Sequence, residues 1–179
     1  MKAVLLRETR ISQVFGVDKA TLLTQNLYHP DFVNGLVDLP DNAEPGKYWV
    51  DGTIVDRLPV IASEVTEERD NRMGTLVFQG KEYSTTGVSL ENIMGAGTLA
   101  LAAMVNGAQV GDYRWADPES DFVWIANDNS LNLMDAQTVW AFATAAAEWR
   151  KKMIYAARAL KDMDPIPMDF ASNNSYWGV

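Results

Sequence analysis

Along the chain, apolar residues recur first at every second position and then at every third or fourth, and this switch happens twice. Thr75-Leu76-Val77-Phe78 and Lys81-Glu82-Tyr83-Ser84-Thr85 flank Gln79-Gly80, which predicts a tight hairpin. Leu90, Ile93, Met94, Gly97, Leu101, Met104 and Val105 then follow at helical spacing, with Ser89 placed to cap the helix and Asn106-Gly107 to stop it. The second round runs Phe122 to Ala126, turns at Asn127-Asp128-Asn129 and returns through Leu131-Asn132-Leu133. Asp135 then opens a long helix reaching about Leu160, whose apolar stripe is Val139, Phe142, Ala143, Ala146, Trp149, Met153, Ala157 and Leu160. The expected fold class is therefore α+β, small β-hairpins packed with two main helices in the order hairpin, helix, hairpin, helix, preceded by an irregular or β N-terminal piece.

Upstream, Lys2 to Val17 alternates weakly and suits a strand, while Asp18 to Asn26 reads as an irregular lead-in. Turn chemistry sharpens at Pro40-Asp41-Asn42 and Glu44-Pro45-Gly46. Tyr48-Trp49-Val50 and Thr53-Ile54-Val55 then flank Asp51-Gly52, a strong hairpin signal because both turn positions need positive φ. Ala62 to Arg72 is polar nearly all round, with Ile61, Val65 and Met73 on one seam, and reads as a connector helix. Beyond the long helix, Asp164-Pro165-Ile166-Pro167 breaks the pattern and leaves Met168 to Val179 as a tail. The expected segments are residues 1–60 as an attachment piece, 61–163 as the α+β domain and 164–179 as an extended aromatic tail.

Gly95 and Gly97 stand inside the first main helix, where each costs about 1 kcal/mol relative to alanine. Close approach of a neighbouring backbone explains them better than a phosphate loop, because no preceding strand and no Gly-Lys-Ser/Thr accompanies them. In the second helix, Arg150, Lys151, Lys152, Arg158 and Lys161 complement the macrodipole and read as a solvated face.

Composition narrows the function classes. Hydrophobic residues make up 47% and charged residues 22% of 179 positions, an ordinary globular balance. The formal net charge of −9 opposes a phosphate backbone, so nucleic acid is not an expected partner. Without cysteine, neither a disulfide framework nor a thiolate site is available. The N-terminal Met1 to Arg7 carries too short an apolar run for a signal core or a membrane span, so no membrane association is expected.

Candidate chemistry is sparse. His29, the single histidine, precedes Pro30 and reads as a surface residue. Glu67/Glu68 and Asp117/Glu119 are carboxylate pairs of the kind an acidic chain contains by chance. Asp117-Pro118-Glu119-Ser120-Asp121 and Asn127-Asp128-Asn129 are superficially like calcium loops but lack the spaced ligands ending in glutamate, and read as turns. Trp124, Trp140 and Trp149 fall on predicted elements and read as core or interface rather than a sugar platform. No catalytic residue, cofactor or metal is expected. The candidate partner interface is Tyr48, Trp49, Phe170, Tyr176 and Trp177, with the alternative that the C-terminal tail folds back onto its own core.

Gly80-Lys81-Glu82-Tyr83, Ser89-Leu90-Glu91-Asn92-Ile93, Trp124 with Asp128-Asn129-Ser130-Leu131-Asn132-Leu133, and the closing alanine-rich helix together resemble the phage-associated DUF4376 domain family, over roughly Ala62 to Asp162. Leu39-Pro40-Asp41-Asn42, Glu44-Pro45-Gly46 and Tyr48 to Gly52 are similar to the leader of tail-fibre-associated and tail-fibre-assembly proteins. The chain departs from the family pattern at Thr85-Thr86, where an acidic residue is common, and in its extra stretch from Tyr113 to Asp121. The resemblance implies a bacteriophage tail structural or adaptor protein of the virion, assembled in the host cytoplasm, oligomeric, and bound to fibre, baseplate or collar proteins. The alternative it implies is a fibre-assembly chaperone that is not retained in the particle.

Overall fold

Both Asp-Gly and Gln-Gly turns adopt the positive φ that two-residue hairpin loops demand, at 46° and 83° for Asp51 and Gly52 and at 49° and 76° for Gln79 and Gly80. They close β4 (Tyr48–Val50) onto β5 (Thr53–Val55), and β6 (Thr75–Phe78) onto β7 (Lys81–Ser84), pairing Leu76 with Tyr83. The computed structural model describes all 179 residues, in two units, Met1–Pro59 and Val60–Val179. Helices and antiparallel sheets make the chain an α+β protein.

The first unit is more regular than its sequence suggests. β1 (Lys2–Arg7) and β2 (Arg10–Val14) form a hairpin, and β3 (Val37–Leu39) joins them in a five-stranded sheet of order β3-β1-β2-β4-β5. The stretch Asp18 to Asn26, expected to be irregular, contains α1 (Lys19–Gln25), capped by the Asp18 carboxylate accepting from the Thr21 N–H, and beyond it lies α2 (Pro30–Asn34), with proline in its first turn. Strand alternation sends Ala3 and Phe15 toward Leu22, Val33 and Leu36 on one face, and Val4 and Ile11 toward Leu39 and Ala43 on the other. Short helices of five and seven residues leave too few repeats for periodicity to show, so their side-chain caps and Pro30 are the local signals.

In the second unit, α3 (Ala62–Arg72) opens with the Glu64 carboxylate accepting from the Ile61 N–H and buries Val65. α4 (Gly87–Val105) and α5 (Ala136–Lys161) are the principal pair. They run antiparallel: Gln137, in the first turn of α5, donates to the Ala108 carbonyl just past the end of α4, while Leu90 at the start of α4 lies beside Ile154 and Tyr155. The first cap of α4 is Thr86 rather than Ser89, because the preceding Thr85 is fully buried and ties the end of α3 to β7, its hydroxyl donating to the Met73 carbonyl at 2.6 Å and its N–H to Gly74. Thr85 thus supplies a structural latch between α3 and β7.

Gly97 packs directly against α5; a Cβ built there would overlap the Cβ of Ala143. Gly95 faces open space and has no such role. β8 (Val123–Ile125) and β9 (Leu131–Leu133) form a separate two-stranded ribbon. Phe142 lies at the centre of an aromatic cluster, with ring centroids 4.7 Å from Tyr83, 5.2 Å from Phe78 and 5.4 Å from Trp124. A second cluster, toward the far end of α5, gathers Val65, Met153, Ala157 and Leu160 with Phe170 and Trp177. The expected aromatic tail is therefore part of the domain and not a separate extended segment.

Candidate functional site

The ionisable groups singled out in the sequence are mostly committed to local structure. His29 caps α2, its Nδ1 accepting from the Asp31 N–H at 3.3 Å on an exposed surface. Asp117 accepts from the Glu119 N–H and the Ser120 hydroxyl, and these bonds hold its carboxyl below the ordinary range. Asp128 accepts from Lys81 at 2.7 Å and from the Ser130 hydroxyl and N–H, which together depress its carboxyl strongly. Asp135 is nearly buried; desolvation opposes its ionisation, but hydrogen bonds from Thr138 and Gly111 outweigh it and keep the carboxyl below its ordinary value. Glu68 is paired with Arg72 at 2.6 Å. No group of three or more histidines, aspartates and glutamates is gathered closely enough to hold a metal ion.

The five aromatic residues read as a partner surface divide into three kinds. Tyr48 and Trp49 lie half-buried on β4, with Trp49 packed against the Val4, Ile11, Leu39 and Ala43 cluster. Tyr176 is half-buried against the second core of the domain. Phe170 and Trp177 correct the expectation: they are 3% and 0% exposed and cannot meet a partner without unfolding the segment. The reason is Arg72, whose guanidinium donates to the Ala171 carbonyl at 2.7 Å and to the Asn174 side chain at 3.0 Å, and lies 4.8 Å from the Trp177 ring centroid. Trp177 in turn donates its indole N–H to the Phe170 carbonyl at 2.7 Å, so burial leaves that donor satisfied.

Apolar surface lies elsewhere. On the β8–β9 ribbon, Val123, Ile125, Leu131 and Leu133 are cross-strand partners that share one face, and all four are exposed. The other surface is one side of the α4–α5 pair. Met94, Leu101 and Val105, expected on the buried stripe of α4, are exposed, and only Ile93, Gly97 and Ala100 are buried. Trp140 and Ile154 are exposed on the same side of α5, and Leu90, Met94, Ala147 and Ile154 border an apolar hollow of about 380 Å³ rimmed by Arg150 and Lys151. Sequence periodicity missed this division because α4 carries apolar residues around most of its circumference and a single charge, Glu91. By length and composition it is also apolar enough to cross a membrane. Such uniform hydrophobicity marks a helix needing cover on more than one side.

An open hollow of about 550 Å³ borders the end of α4, lined by Asn106, Asp112, Arg114 and Trp115. Trp115 donates its indole N–H to the Met134 carbonyl and stacks near Phe122, so this wall belongs to the fold. The most developed features of this unit are apolar faces on firmly packed elements.

A family profile described as Domain of unknown function (DUF4376) matches residues 59–172. No curated protein and no solved structure matches the chain. The match takes in the whole α4–α5 pair, both of its ribbons and the buried Phe170, and through these residues the chain belongs to the DUF4376 family.

Proposed function

We propose that this chain is a structural adaptor of a bacteriophage tail, associated with fibre or baseplate and acting by binding other tail proteins. The phage context is carried by the resemblance of its hairpins, leader and closing helix to tail-associated sequences. The observation that supports an adaptor is the β8–β9 ribbon, four exposed branched aliphatic side chains on one face of a short hairpin. Apolar faces of this kind are costly in water and mark protein-binding surfaces in soluble domains. Because Phe170 and Trp177 are internal, attachment falls to the ribbon and not to the C-terminal residues.

Mass-spectrometric inventory of purified particles of the phage encoding this chain tests the proposal. The adaptor should be present in stoichiometric copies, and the Ile125→Ser/Leu131→Ser double variant should be lost from particles while remaining folded. Absence of the unaltered chain from particles would overturn the adaptor reading; insoluble fibre in its absence would then favour the chaperone alternative.

A further inference from the structure

The open side of the α4–α5 pair carries two matching stripes. On α4, Glu91, Met94, Thr98, Leu101 and Val105 recur at alternating spacings of three and four residues, and all are exposed. On α5, Trp140, Thr144, Ala147, Lys151 and Ile154 recur at alternating spacings of four and three. This is the seam spacing by which helices pack knobs into holes. Because the helices are antiparallel and Gly97 lies beside Ala143, Met94 stands level with Ala147, Leu101 with Trp140, and Glu91 with Arg150 and Lys151.

We infer that this face is the interface between two copies of this chain, whose α4–α5 pairs meet as a four-helix bundle with each α4 against the other copy's α5. A two-fold axis parallel to the helices produces that arrangement. It preserves height along the bundle, so apolar positions meet apolar positions and Glu91 of each copy meets Arg150 and Lys151 of the other. Charge complementarity selects this occupant. None of Glu91, Arg150 and Lys151 takes part in an ion pair within its own chain, although other exposed charges, Lys81 with Asp128 and Arg158 with Asp162 among them, do. A lipid surface fits less well: the inner stripe of α4, Ile93, Gly97 and Ala100, is already the core against α5, and the open face carries Glu91 at one end. Two identical self-complementary faces satisfy both the apolar stripe and the three charges.

This inference rests on the adaptor reading only for its tail context, since self-association is a property of the isolated chain. Sedimentation equilibrium of the full chain at micromolar concentration should give twice its 19.9 kDa mass. Glu91→Lys should weaken the dimer by about tenfold or more, as should Arg150→Glu/Lys151→Glu, because each sets like charges opposite one another. Combining all three substitutions should restore association. Glu91 is exposed, so far-UV circular dichroism should be unchanged in Glu91→Lys. Met94→Lys should abolish the dimer. A monomer at every concentration, association indifferent to Glu91→Lys, no rescue by the combined variant, or flotation of the monomer with phosphatidylcholine vesicles would each overturn the inference. A dimer that is absent from virions would leave the interface standing and remove the adaptor instead.

Discussion

Trp177 offers the sharpest test of how the C-terminal segment is held. Replacing it with alanine removes the largest fully buried side chain in the protein and opens a cavity bordered by the Val65, Met153 and Leu160 cluster. Tryptophan-to-alanine changes in cores cost about 3–5 kcal/mol. The guanidinium of Arg72, 4.8 Å from the ring centroid, loses its partner as well, an interaction of about 0.5–2 kcal/mol. These losses overlap, so an expected net cost is about 4 kcal/mol, a large fraction of the 5–15 kcal/mol that typically separates folded from unfolded domains. Urea denaturation followed by circular dichroism at a helix band reads the loss without depending on tryptophan fluorescence. With a urea slope of about 1.5–2 kcal/mol/M, the midpoint should fall by roughly 2–3 M. Tyr176→Ala, at a half-buried neighbour, should fall by clearly less. A Trp177→Ala midpoint within about 0.5 M of the parent would refute the reasoning, because a docked, fully buried tryptophan cannot be removed so cheaply.

Other substitutions probe the remaining joints. Gly97→Ala should destabilise by about 1–3 kcal/mol through overlap with Ala143, while Gly95→Ala, in open space, should stabilise by about 0.5–1 kcal/mol; thermal melts of the pair read opposite signs. Asp135→Ala should cost about 1–2 kcal/mol at neutral pH, because the carboxylate caps α5 and also accepts from Gly111. The folded-state value of Asp135 lies below its ordinary 3.8, so this stability is fully present above that pH and is lost as pH falls through the folded value; parent and variant denaturation curves should converge on acidification and not on alkalinisation. Arg72→Met should release the C-terminal segment, seen as faster amide exchange at Ala171 to Trp177 than in the parent.

Much of the α+β domain can be read locally. The Gln79-Gly80 turn, the Asp135 cap and nearly the whole inner stripe of α5 follow from residues within a few positions of one another, and turn geometry, side-chain capping and helical period are local physics. α1 and α2 were hidden because five to seven residues carry too little periodicity, and β3 because three residues become a strand only when β1 offers them a ladder. The side of α4 left open is not local either: its apolar positions nearly encircle the helix, so the placement of α5 and the β8–β9 ribbon determines what is covered.

By itself, then, the amino-acid sequence determined the tight hairpins and the two main helices, and that many ionisable residues would serve as caps and solvated charges. Only the tertiary structure decided that Phe170 and Trp177 are core while Met94, Leu101, Val105 and Ile125 are surface. Hydrophobicity states how strongly a side chain avoids water, and long-range partners state whether it succeeds. Arg72 and Asn174 meet across 102 positions of chain, and that meeting turns an aromatic tail into part of the domain.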